Sequence, residues 1–385
     1  MQRLSTVEML ERLVAFDTTS HNSNLGLIAF VRDYLAGLGI ESHLTYDALR
    51  NKANIFCTIG PQGKPGVILS GHVDTVPVEG QAWTSDPYTL ARRDGRLYGR
   101  GSTDMKGFVA TFLAMAPEFQ AAPLSQPIHF CITYDEEVGL HGARVAIADL
   151  VQNFPLPTAC IVGEPSGMKP VLAHKGKLAL IGTVKGVPGH SSDILRGANA
   201  LEAAAEAVGY LKGQQRYFRD HGPYDRRFDP PFTSVHTGVF HSGVVLNMIP
   251  EHASFTMEWR FIPGTDIDVD YAKLRDHCAS AIEPEMKAVN PSCGFTWAEY
   301  SRMPGMGLPE DHPLATMVKQ LAGTNDAGAV SYGTEGGLFE AAGIPTLVCG
   351  PGHIQQAHQP DEFIDEQQLA ACEAFLRALK VRLSG

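Results

Sequence analysis

The sequence has no Cys-x-x-Cys pair, no long apolar run, no excess of positive charge, and no repeated or low-complexity tract. Each absence removes a class of function. Seven cysteines stand far apart, at 57, 131, 160, 278, 293, 349 and 372. An odd number at wide spacing fits reduced, mostly buried thiols in a reducing compartment, not a disulfide framework. Any metal site must therefore be built from histidine and carboxylate. No apolar stretch is long enough to span a bilayer. Thirty-one Lys and Arg stand against 42 Asp and Glu, a net charge of −11, which argues against nucleic acid or an anionic membrane as partner.

What is present is an ordinary globular composition, 44% hydrophobic and 19% charged over 385 residues, long enough to expect two domains. Ser5-Thr6-Val7-Glu8 reads as a capping box, followed by Leu10, Leu13 and Val14 at helical spacing. The first segment is thus expected to be a folded helix and not a signal peptide, in a cytoplasmic protein.

Strand-like and helical segments alternate through the first 175 residues. Val67–Ser70, Ile128–Tyr134 and Ala159–Val162 read as buried strands, and Met105–Ala116 as a helix after the Gly-rich turn YGRGSTD. This rhythm predicts an α/β domain with a mostly parallel sheet and its chemistry at the carboxyl ends of the strands. From Leu178 the pattern changes. Leu178–Gly186 reads as a strand, Ala198–Leu211 as a helix, and Gly213–Pro231 as a polar segment. Ala253, Phe255, Met257 and Trp259 then alternate with Ser254, Thr256, Glu258 and Arg260, a strand with one polar face. Tyr271–Met286 reads as a helix and Gly294–Tyr300 as a strand, completing a small β-α-β-β-α-β-like unit. After Arg302 the α/β pattern resumes, with strand Pro345–Cys349 and a final helix Glu366–Leu383. The small unit is read as an insertion.

Five strand-end positions of the α/β domain carry acids or histidines. SGHVDTVP holds His72 and Asp74, two residues apart and so on one face of a strand. A histidine beside a carboxylate can bind a metal through one ring nitrogen while the acid fixes the ring. GRGSTDMKG holds Asp104, TYDEEVG holds Asp135, Glu136 and Glu137, VGEPSG holds Glu164, and GPGHIQQAHQPDE holds His358. Any one of these can be a solvated loop residue. Together they are hard to read as accident. Mixed histidine and carboxylate ligands suit zinc, and so many groups point to two ions sharing a carboxylate.

This ordered motif set resembles the dinuclear zinc amidohydrolase and peptidase family, which includes acetylornithine deacetylases, succinyl-diaminopimelate desuccinylases, aminoacylases and related carboxypeptidases. The resemblance spans essentially the whole chain. SYGTEGGLFEAAGIPTLVCGPG and GHSSDILRGANALE resemble the acetylornithine deacetylase branch most. It implies a zinc-peptidase-like catalytic domain of residues 1–177 and 302–385, with a ferredoxin-like lid and dimerisation domain of residues 178–301 inserted into it. It implies two Zn²⁺, with Co²⁺ as an alternative.

Carried over, His72, Asp104, Glu137, Glu164 and His358 are the metal ligands, with Asp104 bridging. Asp74 orients His72, and Glu136 is the general base. Spacing alone does not distinguish Glu136 from Glu137. The resemblance makes His190 in GVPGHSSD an oxyanion donor, acting across a homodimer, and implies a cis peptide after Asp104. Arg260, on the polar face of its strand, can hold a substrate α-carboxylate; Asn247 matches a polar lid residue; Glu335 can receive a cationic substrate side chain. A turn histidine, a surface arginine, a turn asparagine and a loop acid are the plainer readings of these four. The expected reaction is removal of the acetyl group from N2-acetyl-L-ornithine, in arginine biosynthesis. An N-acyl amino acid hydrolase or exopeptidase with another substrate is the alternative, and a non-catalytic metal-binding protein a weaker one. A magnesium-dependent phosphatase is disfavoured by two histidine ligands and no phosphate loop.

Overall fold

Ser5 caps the first helix, Thr6–Val14, reciprocally: Glu8 N–H donates to the Ser5 hydroxyl, and the Glu8 carboxylate accepts from Ser5 N–H at 2.8 Å. The helix buries Met9, Leu10, Leu13 and Val14. The computed structural model describes residues 3–385. The chain forms two compact units. Of the described residues, the first comprises 3–173, 306–329 and 334–385, and the second 174–305 and 330–333.

The first unit is built on a nine-stranded sheet. Its centre runs Ile128–Thr133, Val67–His72, Ala159–Pro165, Thr346–Gly350, all paired in parallel. Ala53–Ile59 adds antiparallel beside Ile128–Thr133, with Ser42–Tyr46 antiparallel outside it. Every residue of Val67–His72, Ile128–Thr133 and Ala159–Pro165 is buried. Such strands are covered on both faces, so their side chains reach solvent only at the ends. Helix Lys106–Gln120 packs against Thr6–Val14 and Glu366–Leu383. It lies so close to the sheet that a Cβ on Gly163 would sit 2.0 Å from the Phe108 ring, which only glycine allows.

The second unit has a four-stranded antiparallel sheet in the order Ser234–Ser242, His252–Phe261, Gly176–Lys185, Gly294–Met303. With helices Ala200–His221 and Ile267–His277 this is the expected β-α-β-β-α-β succession. Its core gathers Leu178, Leu180, Phe255, Met257 and Trp259 from the sheet with Ala203, Ala207 and Leu211 from the long helix.

Several elements differ from the sequence reading. The helix starting at Ala200 continues to His221, because Phe218, one heptad beyond Leu211, extends its buried stripe through the polar segment. The helix read at Tyr271–Met286 is Ile267–His277, a π turn Cys278–Ile282, and Glu283–Val289. The units change over at 173/174 and 305/306, a few residues outside the expected 177/178 and 301/302. The first and last strands of the insertion, Gly176–Lys185 and Gly294–Met303, pair as far as Lys177 with Met303. Residues 330–333 also join the second unit, where Lys175 N–H donates to the Val330 carbonyl at 3.3 Å.

Candidate metal centre and active site

All five expected ligands lie in the first unit, at or just past the carboxyl ends of its strands and in the connecting loops. His72 is the last residue of Val67–His72, and Glu164 the penultimate one of Ala159–Pro165. Glu136 and Glu137 follow Ile128–Thr133. Asp104 precedes helix Lys106–Gln120, and His358 follows the single turn Ile354–Gln356.

Asp104 stands between two groups. Its Oδ1 is 3.1 Å from His72 Nε2, which lies 3.6 Å from Glu164 Oε1. Its Oδ2 is 3.2 Å from His358 Nε2, which lies 3.0 Å from Glu137 Oε1. One carboxylate thus serves two histidine-carboxylate sets, one through each oxygen. Glu136 also comes within 4.8 Å of His72 and Glu164. His72, Asp104 and Glu164 are buried, whereas the His358 side chain is 48% exposed and forms the open side of the site. The Asp104–Met105 peptide is cis.

Asp74 does more than face His72. Its backbone carbonyl lies 3.0 Å from His72 Nδ1, and its Oδ1 lies 3.4 Å away. With Nδ1 so engaged, Nε2 is left toward the centre of the site. The Asp74 carboxylate also accepts the Glu136 N–H at 3.0 Å, the Glu137 N–H at 3.3 Å and the Ser20 hydroxyl at 2.8 Å. It therefore positions the two adjacent glutamates as well as the histidine.

The electrostatics ask for cations. Burial pushes the Glu136 and Glu164 carboxyls well above the usual carboxylate range; Glu137 and Asp104 add repulsion, which His72 partly offsets. Burial also raises Glu137, with Asp104 adding to it. Burial works against ionised Asp104, but hydrogen bonds with His358 and His72 hold it well below its ordinary value. The bond with Asp104, and then that with Glu137, pushes His358 up to about 10. Burial opposes a charged His72, yet Asp104 and Asp74 raise it well above its ordinary value. A buried site with five carboxyl groups and two imidazoles, donor atoms converging, fits two divalent cations.

Other expected residues lie elsewhere. Asp135 leaves the cluster, since its carboxylate pairs with Lys52. His353, the other histidine of its motif, is exposed and hydrogen-bonds with Gln356. Glu335 corrects an expectation. It is fully buried, with its two oxygens accepting from the Ser70 and Thr133 hydroxyls at 2.5 and 2.7 Å. A carboxylate so enclosed and satisfied has no face to offer a substrate. His190, Asn247 and Arg260 belong to the second unit. His190 is exposed, with Nδ1 2.7 Å from the Ser192 hydroxyl. Asn247 is exposed, and its carbonyl accepts from Ser191 N–H at 3.2 Å. Arg260 is half-buried, and its Nε donates to Glu258 at 3.1 Å. Ser20, 54 residues from Asp74 in sequence, was not legible as a neighbour of the site.

Comparison with known proteins finds relatives over nearly the whole chain. Residues 68–380 match the model of peptidase family M20/M25/M40. Acetylornithine deacetylase of Photorhabdus laumondii is 35% identical over 367 residues, covering 93% of this chain and 92% of that protein. Acetylornithine deacetylase of Edwardsiella ictaluri is 34% identical, covering 97% of each. Among solved structures, aminopeptidase PepT of Bacillus cereus superposes with a TM-score of 0.77 at 19% identity, covering 100% of both chains. A dinuclear metal-binding M20 peptidase of Bacillus subtilis superposes at 0.67 and 16% identity, covering 98% of this chain and 97% of that one. The match over most of the chain, the nearly full-length relatives and the shared fold together place this protein in the M20/M25/M40 family of metal-dependent peptidases and amidohydrolases.

Proposed function

We propose that this enzyme hydrolyses N2-acetyl-L-ornithine to L-ornithine and acetate, as a cytoplasmic step of arginine biosynthesis. The observation that carries the reading is the nearly full-length similarity, at 35% identity, to acetylornithine deacetylases, in a chain whose Asp104 addresses two ligand sets at once. His72, Asp104 and Glu164 would hold one zinc ion, and Asp104, Glu137 and His358 the other, with cobalt able to substitute. When bound, two such ions supply an activated water and polarise a carbonyl at neutral pH.

The chain's own residues do the rest. Glu136, raised by burial, takes a proton from the attacking water on its carboxylate and returns it to the leaving amine nitrogen. Asp74 holds the backbone on which Glu136 sits. Arg260 would exchange Glu258 for the substrate α-carboxylate as a charge-assisted partner. His190 would donate to the developing oxyanion, and Asn247 would add a polar contact.

The second unit supports a homodimer with His190 acting on the partner's site. Ser234–Ser242 is an edge strand of its sheet, and Val239, Phe240, Val244, Val245, Leu246 and Met248 are exposed on and beside it. Such an edge calls for a cover. Mixing inactive Glu136→Ala and His190→Ala subunits tests this: trans action restores about a quarter of wild-type activity per site under two-fold symmetry, and cis action restores none.

Release of primary amine from a panel of N-acyl amino acids and short peptides tests the substrate. N2-acetyl-L-ornithine should show the highest kcat/KM. A clear preference for a peptide or another acyl amino acid would transfer the reading to the exopeptidase or aminoacylase alternative.

A further inference from the structure

The motif that supplies His358 carries a second acid, Glu362, with no part in the chemistry above. It is 1% exposed, yet all its hydrogen-bonding capacity is spent on one loop. Oε1 accepts the backbone N–H of Thr103 at 2.9 Å and of Asp104 at 3.1 Å. Oε2 accepts the N–H of Gly101 at 3.0 Å and Arg100 Nη1 at 2.8 Å. The loop curls around this carboxylate through Gly101, at φ +77°, where a Cβ would sit 2.7 Å from Thr75 Cγ2.

Arg100 extends the same grip. It is buried and donates to the carbonyls of Gln359 at 3.3 Å and Pro77 at 3.4 Å, and to the Gln81 side chain. Gln81 in turn donates to the His358 carbonyl at 3.1 Å. One buried ion pair thus joins the loop after His72 and Asp74, the loop of Asp104 and the segment of His358. It brings one charge of each sign, so it adds no net charge to a site already rich in carboxylate. Its influence on bound ions must come through position.

We propose that Glu362 is a positioning residue of the metal site: with Arg100 it fixes the Gly101–Asp104 backbone, and so holds the Asp104 carboxylate between the two ligand sets. The inference rests on Asp104 as the shared ligand. Only two side-chain torsions separate the anchored Asp104 N–H from the carboxylate. Partners that orient metal ligands matter nearly as much as the ligands themselves.

Glu362→Gln is isosteric, but whichever way the amide turns, its NH₂ faces N–H donors. Metal-free wild type and variant are titrated with Co²⁺, following visible absorption, and with Zn²⁺ against a chromophoric chelator. Circular dichroism checks the fold. In Glu362→Gln both ions should bind roughly 10–100-fold more weakly, and the Co²⁺ spectrum should change. His358→Ala should weaken one ion only. If Glu362→Gln does not fold, Arg100→Lys, which keeps the charge and loses the fork, should move both affinities and the spectrum the same way. Unchanged affinities and spectrum beside a two-ion wild type overturn this inference alone, even if thermal stability falls. A wild type that takes up fewer than two ions overturns the dinuclear reading and this inference with it.

Discussion

In the first unit the strands Val67–His72, Ile128–Thr133 and Ala159–Pro165 are buried along their whole length. In the second, His252–Phe261 alternates buried with half-exposed or exposed residues. A strand covered on both faces can present a functional group only where it ends, so acids and histidines there converge on one rim. A strand with one open face can present a group at every second residue, as Glu258 and Arg260 are presented. The first arrangement yields a preorganised site with few alternatives. The second yields an adaptable polar surface on which single residues carry less of the energy.

Substitutions should separate these regimes. The largest effect belongs to Asp104→Ala, which removes a ligand from both sets; metal content should fall for both ions and turnover drop to background. Loss of only one ion would show that Asp104 is not shared. Glu136→Ala should lower kcat roughly 10²–10⁴-fold while metal analysis still finds both ions, since it removes a base and not a ligand. An ion lost from that variant would exchange the roles of Glu136 and Glu137.

Acid should act on each unit through its own histidine. Burial pushes His129 in the first unit and His174 in the second down to about 4. An unfolded histidine titrates near about 6.5, so between these values each of these two binds more protons when unfolded, and its own contribution to stability rises with pH. Acidification across that window should cost about 3 kcal/mol per histidine. In denaturant melts, His129→Leu and His174→Leu should each flatten part of that dependence; an unaltered pH profile in both would contradict the assignment.

On the open face, Arg260→Ala should raise KM for N-acetyl-L-ornithine about ten- to a hundredfold, from the loss of a charged hydrogen bond, with metal content unchanged. An unaltered kcat/KM would place the α-carboxylate elsewhere. Glu335→Ala should leave KM alone and lower stability by about 1–3 kcal/mol, because the Ser70 and Thr133 hydroxyls lose their acceptor. A KM change without loss of stability would return Glu335 to the substrate.

The same contrast explains what the sequence made legible. His72, Asp104, Glu137, Glu164 and His358 stand out because each falls where an apolar run stops or a Gly-rich turn meets a helix, and the order of the motifs carries the rest. Glu335 misleads for the opposite reason. Its Gly-flanked setting reads as a loop, and only tertiary packing encloses it. Glu362 was visible in the motif but without a task, since its partner Asp104 lies 258 residues away. In the second unit, the extension of helix Ala200–His221 hung on one buried residue, Phe218, amid polar neighbours. His190, Asn247 and Arg260 sit on exposed or half-buried positions, where periodicity shows that a side chain points outward and nothing about what it meets.

The central claim is that one carboxylate serves two ions. Stepwise addition of zinc to metal-free protein, with bound metal and hydrolysis of N-acetyl-L-ornithine followed together, tests it most directly. Uptake should reach two ions per chain, with full activity only at the second equivalent. Saturation at one ion, or full activity in the metal-free chain, would contradict it.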